Sequence, residues 1–359
     1  MISELKTSSL PFGTLPDGQE IWLYTLEIEG VIKASIMNLG ATLTHLYVPD
    51  RLGNMADVVL GFDDLEGYLQ KDYQDNYCYL GSTIGRVGGR TKGNQFTLNG
   101  KVYNLPLNKV TTHLHGGEAG WDRKVWSADF FHDEEGIGVT FSLSSPDGEG
   151  GYPGKIDVQV SYRISEDAKL QITYEAKTDA PTILNPTNHS YFNLSGDLTT
   201  DITDHVLQVN AARFLPIDED SFADGLLQDV AGTAFDFQKP TLIGEALSKQ
   251  EDIQLQRGNG FDHAFEVGQS EVDAILHDPK SGRTMECITS APAIQIYTSN
   301  YVNGHFKGKN NIPYKHRAAI CLETQGFPDA ANREDLPSIK LNPEDKFWSQ
   351  TTFKFTTSL

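Results

Sequence analysis

Hydrophobic residues recur at every second position through much of the chain. Ile156, Val158, Val160, Tyr162 and Ile164 alternate with Asp157, Gln159, Ser161 and Arg163, and after Ser165–Ala168 the pattern resumes with Leu170, Ile172, Tyr174 and Ala176 against Gln171, Thr173 and Glu175. Successive side chains of a strand point to opposite faces, so this period predicts an antiparallel hairpin with one buried and one wet face. Ile137, Val139, Phe141 and Leu143 mark another strand, and Phe347 to Phe355 alternates more loosely. Ile21–Glu29 and Val31–Asn38 predict a hairpin around Gly30, and Asn99-Gly100 is a two-residue turn signal between Phe96–Leu98 and Lys101–Tyr103. Helical pattern is confined to Asp63–Leu69 and Leu242–Lys249, each too short to define an architecture. The expected fold is all-β: one large antiparallel β-sandwich over residues 1–359, with few short helices and long loops carrying the unusual residues.

Composition fits that picture. Glycine (33) and proline (16) suit many short strands joined by turns better than long helices. The formal net charge of −20 argues against nucleic acid and anionic membranes as partners, and no cluster of Lys and Arg marks a site for a strongly anionic substrate. Cys78, Cys287 and Cys321 are odd in number and widely spaced, which argues against a disulfide framework and for a reducing compartment. The opening Met-Ile-Ser-Glu-Leu-Lys lacks a charged-then-apolar signal segment, and no apolar run approaches a membrane helix. A cytoplasmic protein, monomer or homodimer, is expected.

Candidate chemistry lies in the loops and at strand ends. Asn185–Leu194 places His189 among polar residues able to fix its ring, followed by Tyr191 and Phe192. Histidine changes charge near neutral pH and is a candidate acid–base group, although a single such histidine also fits a half-buried structural role. Glu323 follows the apolar run Arg317–Leu322 and reads as a carboxylate at the end of a buried strand; an edge glutamate paired with a lysine reads equally well. Gly81-Ser-Thr-Ile-Gly-Arg-Val-Gly-Gly-Arg90 lacks the spacing and ending of a phosphate-binding loop, and its glycines serve better as turns that aim Arg86 or Arg90. In Thr112-His-Leu-His-Gly-Gly117, His113 and His115 would share a strand face, with Glu118 following. The glycine pair breaks the strand before Glu118 aligns, so a histidine donating to a ligand oxygen is favoured over a metal ligand. Asp262, in Asn259–Phe265, is a carboxylate suited to accept hydrogen bonds from a polyol, and Gln295 could point from a strand toward the same ligand.

These segments together, from Gly81–Arg90 through Leu114–Gly117, Asn188–Leu194 and Gly260–His263 to Leu322–Ala330, resemble the aldose 1-epimerases, also called galactose mutarotases. The resemblance covers nearly the whole chain. It implies a galactose mutarotase-like supersandwich and interconversion of the α- and β-anomers of free aldoses without cofactor or metal. It carries over His189 as general acid and Glu323 as general base. Arg90, His115, Asp262 and Gln295 fall at sugar-binding positions, and Tyr191 lies in a matched segment. Two departures stand out: Gly89 where many members have Asn, and Trp121 where Phe is frequent. Rival readings are a glycoside hydrolase using Glu323 and Asp262 as paired carboxylates, a sugar-phosphate mutarotase, which would want extra basic residues, and a non-catalytic sugar-binding module.

Overall fold

A computed structural model describes residues 4–109, 111–268 and 270–358. The period-two segments form antiparallel sheets, as the alternation predicts. Nine strands pair in the order Ser127–Asp133, Gly136–Ser145, Ile156–Ser165, Lys169–Thr178, Phe347–Thr357, Arg283–Thr289, Ala274–His277, Val206–Val209 and Thr241–Leu242. The hairpin read from 156–176 pairs in register from Ile156 opposite Thr178 to Ser165 opposite Lys169. A five-stranded sheet is built from Leu5–Thr14, Glu20–Ile28, Ile32–Met37, Thr42–Pro49 and Met55–Asp57. The turn around Gly30 joins its second and third strands, and Asn99-Gly100 joins Gln95–Leu98 to Lys101–Asn104.

The third large sheet has six strands, ordered Tyr191–Phe192, Ile320–Gln325, Ala293–Tyr297, Asp262–Glu266, Arg213–Leu215 and Gln228–Asp229. One main core is shared by the three sheets: Leu26 and Ile36 from the first, Phe141, Val160 and Ile172 from the second, and Phe265, Ile296 and Leu322 from the third. Helices are minor, with Leu65–Leu69 and Ile243–Leu247 at the two anticipated places and Lys71–Asp75 and Ile253–Gly258 in addition. Among the described residues no helix is long and apolar enough to cross a membrane.

Glu323 departs from its expected position. Thr324 and Gln325 continue the strand rather than ending it, because Ala293 opposite Gln325 and Ile294 opposite Thr324 keep the ladder paired. The carboxylate is therefore held from both sides along its strand. Arg86 also departs from the open possibilities of its glycine-rich segment. It is buried, and its guanidinium donates to the Pro153 carbonyl (2.8 Å), the Pro146 carbonyl (2.9 Å) and Ser145 Oγ (2.9 Å). That network binds the segment to the Gly136–Ser145 strand, leaving Arg90 as the arginine that faces a cavity.

Buried histidines couple this fold to pH. Leu194 N–H donates to His205 Nε2 (3.0 Å), and Asp262 N–H donates to His263 Nδ1 (3.1 Å), so a proton on either nitrogen would break a bond. Burial lowers His205 to about 4 and His263 to about 3. Unfolded, both titrate near about 6.5, so the unfolded chain binds more protons below that pH. Their contribution is full above pH 6.5 and is lost as pH falls toward 4. Asp122, raised by burial to about 6, acts in the opposite sense, as do Asp262, Glu323 and Asp329. His45, His113, His115 and His189, however, are lowered by burial as well and add to the effect of His205 and His263. Urea unfolding should show lower stability at pH 5 than at pH 7, with the difference reduced in His205→Gln. An unchanged difference in that variant would remove His205 from the account.

Candidate active site

The site is the outer face of the six-stranded sheet. Alternation sends Phe265, Ile294, Ile296, Ile320 and Leu322 into the core, and turns Asp262, Gln295, Tyr297, Glu323 and Gln325 toward a cavity of about 510 Å³. That volume lies within the range of small-molecule sites. Pairing across the strands sets Gln295 opposite Glu323, Asp262 opposite Tyr297, and Cys321 opposite both Tyr297 and Tyr191. Directly opposed side chains on one face start about 5 Å apart, so the polar groups converge without any long loop to position them.

His189 enters from the Asn185–Leu194 segment. Its N–H donates to the Ser82 carbonyl (2.9 Å), and its carbonyl accepts from Gly81 N–H (3.0 Å). The polar neighbours expected to fix the ring act on the backbone instead. Asn188 donates to the Gly81 carbonyl (3.0 Å) and accepts from Ser190 Oγ (2.5 Å). The ring is held by other contacts: Cys321 Sγ lies 3.6 Å from Nδ1, and Tyr191 stacks on it at 5.0 Å and 17°. Tyr191 donates its hydroxyl to the Cys78 carbonyl (2.9 Å), so what it offers the cavity is a ring wall.

His189 Nε2 and Glu323 Oε1 are 3.6 Å apart, with both residues buried. Burial lowers His189 to about 4. It also raises Glu323 well above the usual carboxylate range; Asp262 adds to that shift and Arg90 opposes it. The expectation that nearby carboxylates would keep His189 protonated meets this larger opposing effect. Both shifts favour the uncharged pair, imidazole with carboxylic acid, which carries one proton; imidazolium with carboxylate is the other placement of that proton.

The binding candidates surround the pair. Asp262 accepts from Gln295 Nε2 (2.7 Å) and lies 3.8 Å from Arg90 Nη1. Three buried acceptors that line the cavity have no hydrogen-bond partner among the described residues: Gln295 Oε1, Glu323 Oε2 and Gln325 Oε1. Gln325, Tyr297 and Tyr79 are cavity residues that the sequence reading did not single out. The two-residue offset of Gln325 from Glu323 was the available signal for the first. For Tyr79 there was none, since it sits in an irregular turn.

His113 and His115 do not share a face, contrary to their spacing. The strand stops at Leu114, and His115 takes a left-handed φ of 52°. His113 spends both ring nitrogens on the Pro106 carbonyl and Tyr152 Oη, each at 2.7 Å, while Glu118 is exposed. A different trio, His115, His189 and Glu323, brings one potential metal-ligand atom from each residue to within 4.8 Å of the others. Gly89 N–H donates to His115 Nδ1 (3.1 Å), however, so the neutral ring carries its proton on Nε2. A ring nitrogen that bears a proton donates a hydrogen bond and offers no lone pair to a metal.

The protein is an all-β scaffold with a buried histidine–glutamate pair in a polar cavity, and comparison with known proteins narrows the class. The aldose 1-epimerase family model matches residues 23–354. Galactose mutarotases of Rattus norvegicus and Homo sapiens are each 40% identical over 349 residues, covering 96% of this chain and 97% of theirs. Aldose 1-epimerase of Escherichia coli K12 is 33% identical over 346 residues, covering 95% and 96%. The crystal structure of galactose 1-epimerase from Lactobacillus acidophilus superposes with a TM-score of 0.85 at 32% identity, over 99% of this chain and 100% of that one. The chain belongs to the aldose 1-epimerase family.

Gly89, the departure from the family's Asn, has φ 78°. Asparagine and glycine are the residues that most readily adopt the left-handed region, so the backbone at this position can accept either. That backbone makes two bonds to His115: Gly89 N–H to Nδ1, and Gly89 carbonyl from His115 N–H (3.1 Å). Gly89→Val should therefore lose about 1–2 kcal/mol of unfolding free energy, and Gly89→Asn less than half of that. Equal losses in urea titrations would show that the backbone conformation is not what selects the residue.

Proposed function

We propose that the protein interconverts the α- and β-anomers of free aldohexoses such as galactose and glucose. The observation that carries this reading is the His189–Glu323 pair, 3.6 Å apart and buried beside unpartnered acceptors. A sugar is rich in O–H donors, which suits acceptors that have no protein partner. The family's galactose mutarotases supply the reaction type.

In this reading Glu323 takes the proton of the anomeric hydroxyl while His189 gives one to the ring oxygen. The C1–O5 pair leaves with O5, and the O1–H pair becomes the carbonyl bond of the open-chain aldehyde. Rotation about C1–C2 presents the other carbonyl face, and the reverse proton transfers close the ring. Nothing is oxidised or reduced, so the chemistry calls on proton transfer alone. Arg90 and the Nε2–H of His115 donate to sugar oxygens; Asp262, Gln295 Oε1 and Glu323 Oε2 accept from hydroxyls; Tyr191 forms a wall.

The hydrolase reading asks Asp262 to act as the second catalytic carboxylate. Its bond to Gln295 and proximity to Arg90 suit a fixed acceptor better than a group that must exchange protons. Cys78, Cys287 and Cys321 are all unpaired, which supports a cytoplasmic setting. We read residues 1–359 as one catalytic unit, acting as a monomer or homodimer.

Polarimetry with freshly dissolved α-galactose and α-glucose should show exchange well above the spontaneous rate. Glu323→Gln and His189→Asn should each lower kcat by about 10²–10⁴-fold while remaining folded. Wild-type rates in folded Glu323→Gln would overturn the base assignment, and release of an aglycone from a glycoside would favour the hydrolase.

A further inference from the structure

The proton shared by His189 and Glu323 must sit on His189 for the proposed ring-opening step, yet burial works against an imidazolium. Glu323 attracts it from one side, and His115 lies edge-on at 5.3 Å without a charge to offer. Among the described residues, Cys321, at 3.6 Å, and three tyrosines also face the ring. Tyr297 meets it edge-on at 6.2 Å. Tyr191 and Tyr79 lie nearly parallel to it, at 5.0 Å and 17° and at 5.9 Å and 19°. The face of a phenol ring carries negative electrostatic potential and attracts a cation within about 6 Å of its centroid.

Tyr79 is placed there at a conformational cost. It is buried and has a φ of 59°, a left-handed backbone that a bulky residue adopts only when its surroundings impose it. Ser82 N–H donates to the Tyr79 carbonyl (3.0 Å), closing a turn whose Gly81 and Ser82 are the backbone partners of His189. The same ring packs against His115 at 4.7 Å and 67°. One turn therefore fixes the His189 backbone and stacks a ring on its imidazole.

We propose that Tyr79 is a positioning residue for the reaction: with Tyr191 it presents aromatic faces that favour the imidazolium of His189, keeping the pair's proton on the histidine and its negative charge on Glu323. The inference rests on the acid–base reading of that pair. Arg90 assists from the far side by favouring the Glu323 carboxylate.

The test compares Tyr79→Phe, which keeps the ring, with Tyr79→Leu, which removes it, and with Tyr79→Asn, which tolerates the left-handed backbone if the leucine variant fails to fold. His189 protonation is followed by NMR of labelled histidine, assigned with His189→Asn, and exchange is followed with galactose from pH 5 to 9. Tyr79→Phe should match the wild type. Tyr79→Leu or Tyr79→Asn should lower kcat about tenfold with KM changed less than twofold, and move the His189 midpoint to lower pH by about one unit. Titration in these variants indistinguishable from wild type would overturn the proposal. The NMR arm does not depend on turnover, so failure of the acid–base reading is seen separately, as full exchange in His189→Asn.

Discussion

Burial of two ionisable side chains in contact is the constraint on which the rest of this site depends. His189 and Glu323 are shielded from water on the outer face of a sheet whose inner face is the main core. Removing water costs each group its charged form, and bringing them together returns part of that cost only when one proton is shared. The arrangement demands a rigid frame, because a small separation would let water in and settle both groups in their ordinary states. Glu323 gains rigidity from a strand paired on both sides of the residue. His189 gains it from backbone bonds to Gly81 and Ser82, while Cys321 and Tyr191 of the sheet hold its ring.

The floor and the opposite wall are made by different physics. The floor follows from period two, since once Ile294, Ile296 and Leu322 are buried, Gln295 and Glu323 must face outward together. The wall is made by residues that a strand cannot accommodate. Tyr79, Gly81, Gly89, His115, Gly116 and Gly117 all have positive φ, and the turns they form bring Tyr79, Arg90 and His115 to the cavity. At Gly116 the chains approach so closely that a Cβ would lie 2.0 Å from the Gly85 carbonyl oxygen. Glycine there is required by space as well as by conformation.

This division explains what could be read from the sequence. Strands with one buried face announce themselves, and the hairpins at 20–37 and 156–178 appear where alternation puts them. Gln295 was legible for the same reason. His113 and His115 misled because period two was assumed to continue through a residue that turns left-handed, an event set by the contact with Gly89 rather than by local composition. The strand end at Glu323 was misplaced because a distant partner, Ala293, keeps the ladder going. Arg86 and Arg90 are separated only by long-range contacts, since the carbonyls that claim Arg86 lie some 60 residues further along the chain. Resemblance to a family named the residues; the energetic arrangement that buries them together needed the fold.

Anomer interconversion, on the proposed reading, asks a site to do two things that conflict. It must grip the sugar firmly enough to exclude water, yet leave C1 free to turn about the C1–C2 bond once the ring has opened. The two demands fall on different groups. Asp262, Gln295 and Arg90 restrain one another by a 2.7 Å hydrogen bond and a 3.8 Å ion pair, so they form a prepaid, rigid grip. His189 is bounded mainly by aromatic faces and a sulfur, which hold orientation but impose few directional bonds. Sulfur can accept from Nδ1–H, and its S–H can donate to an unprotonated Nδ1, so Cys321 tolerates the ring before and after it gives up its proton. A directional carboxylate at Nδ1 would favour the imidazolium too strongly to release that proton. Aromatic packing favours it by a smaller amount, which suits a group that must be an acid in one half of the cycle and a base in the other.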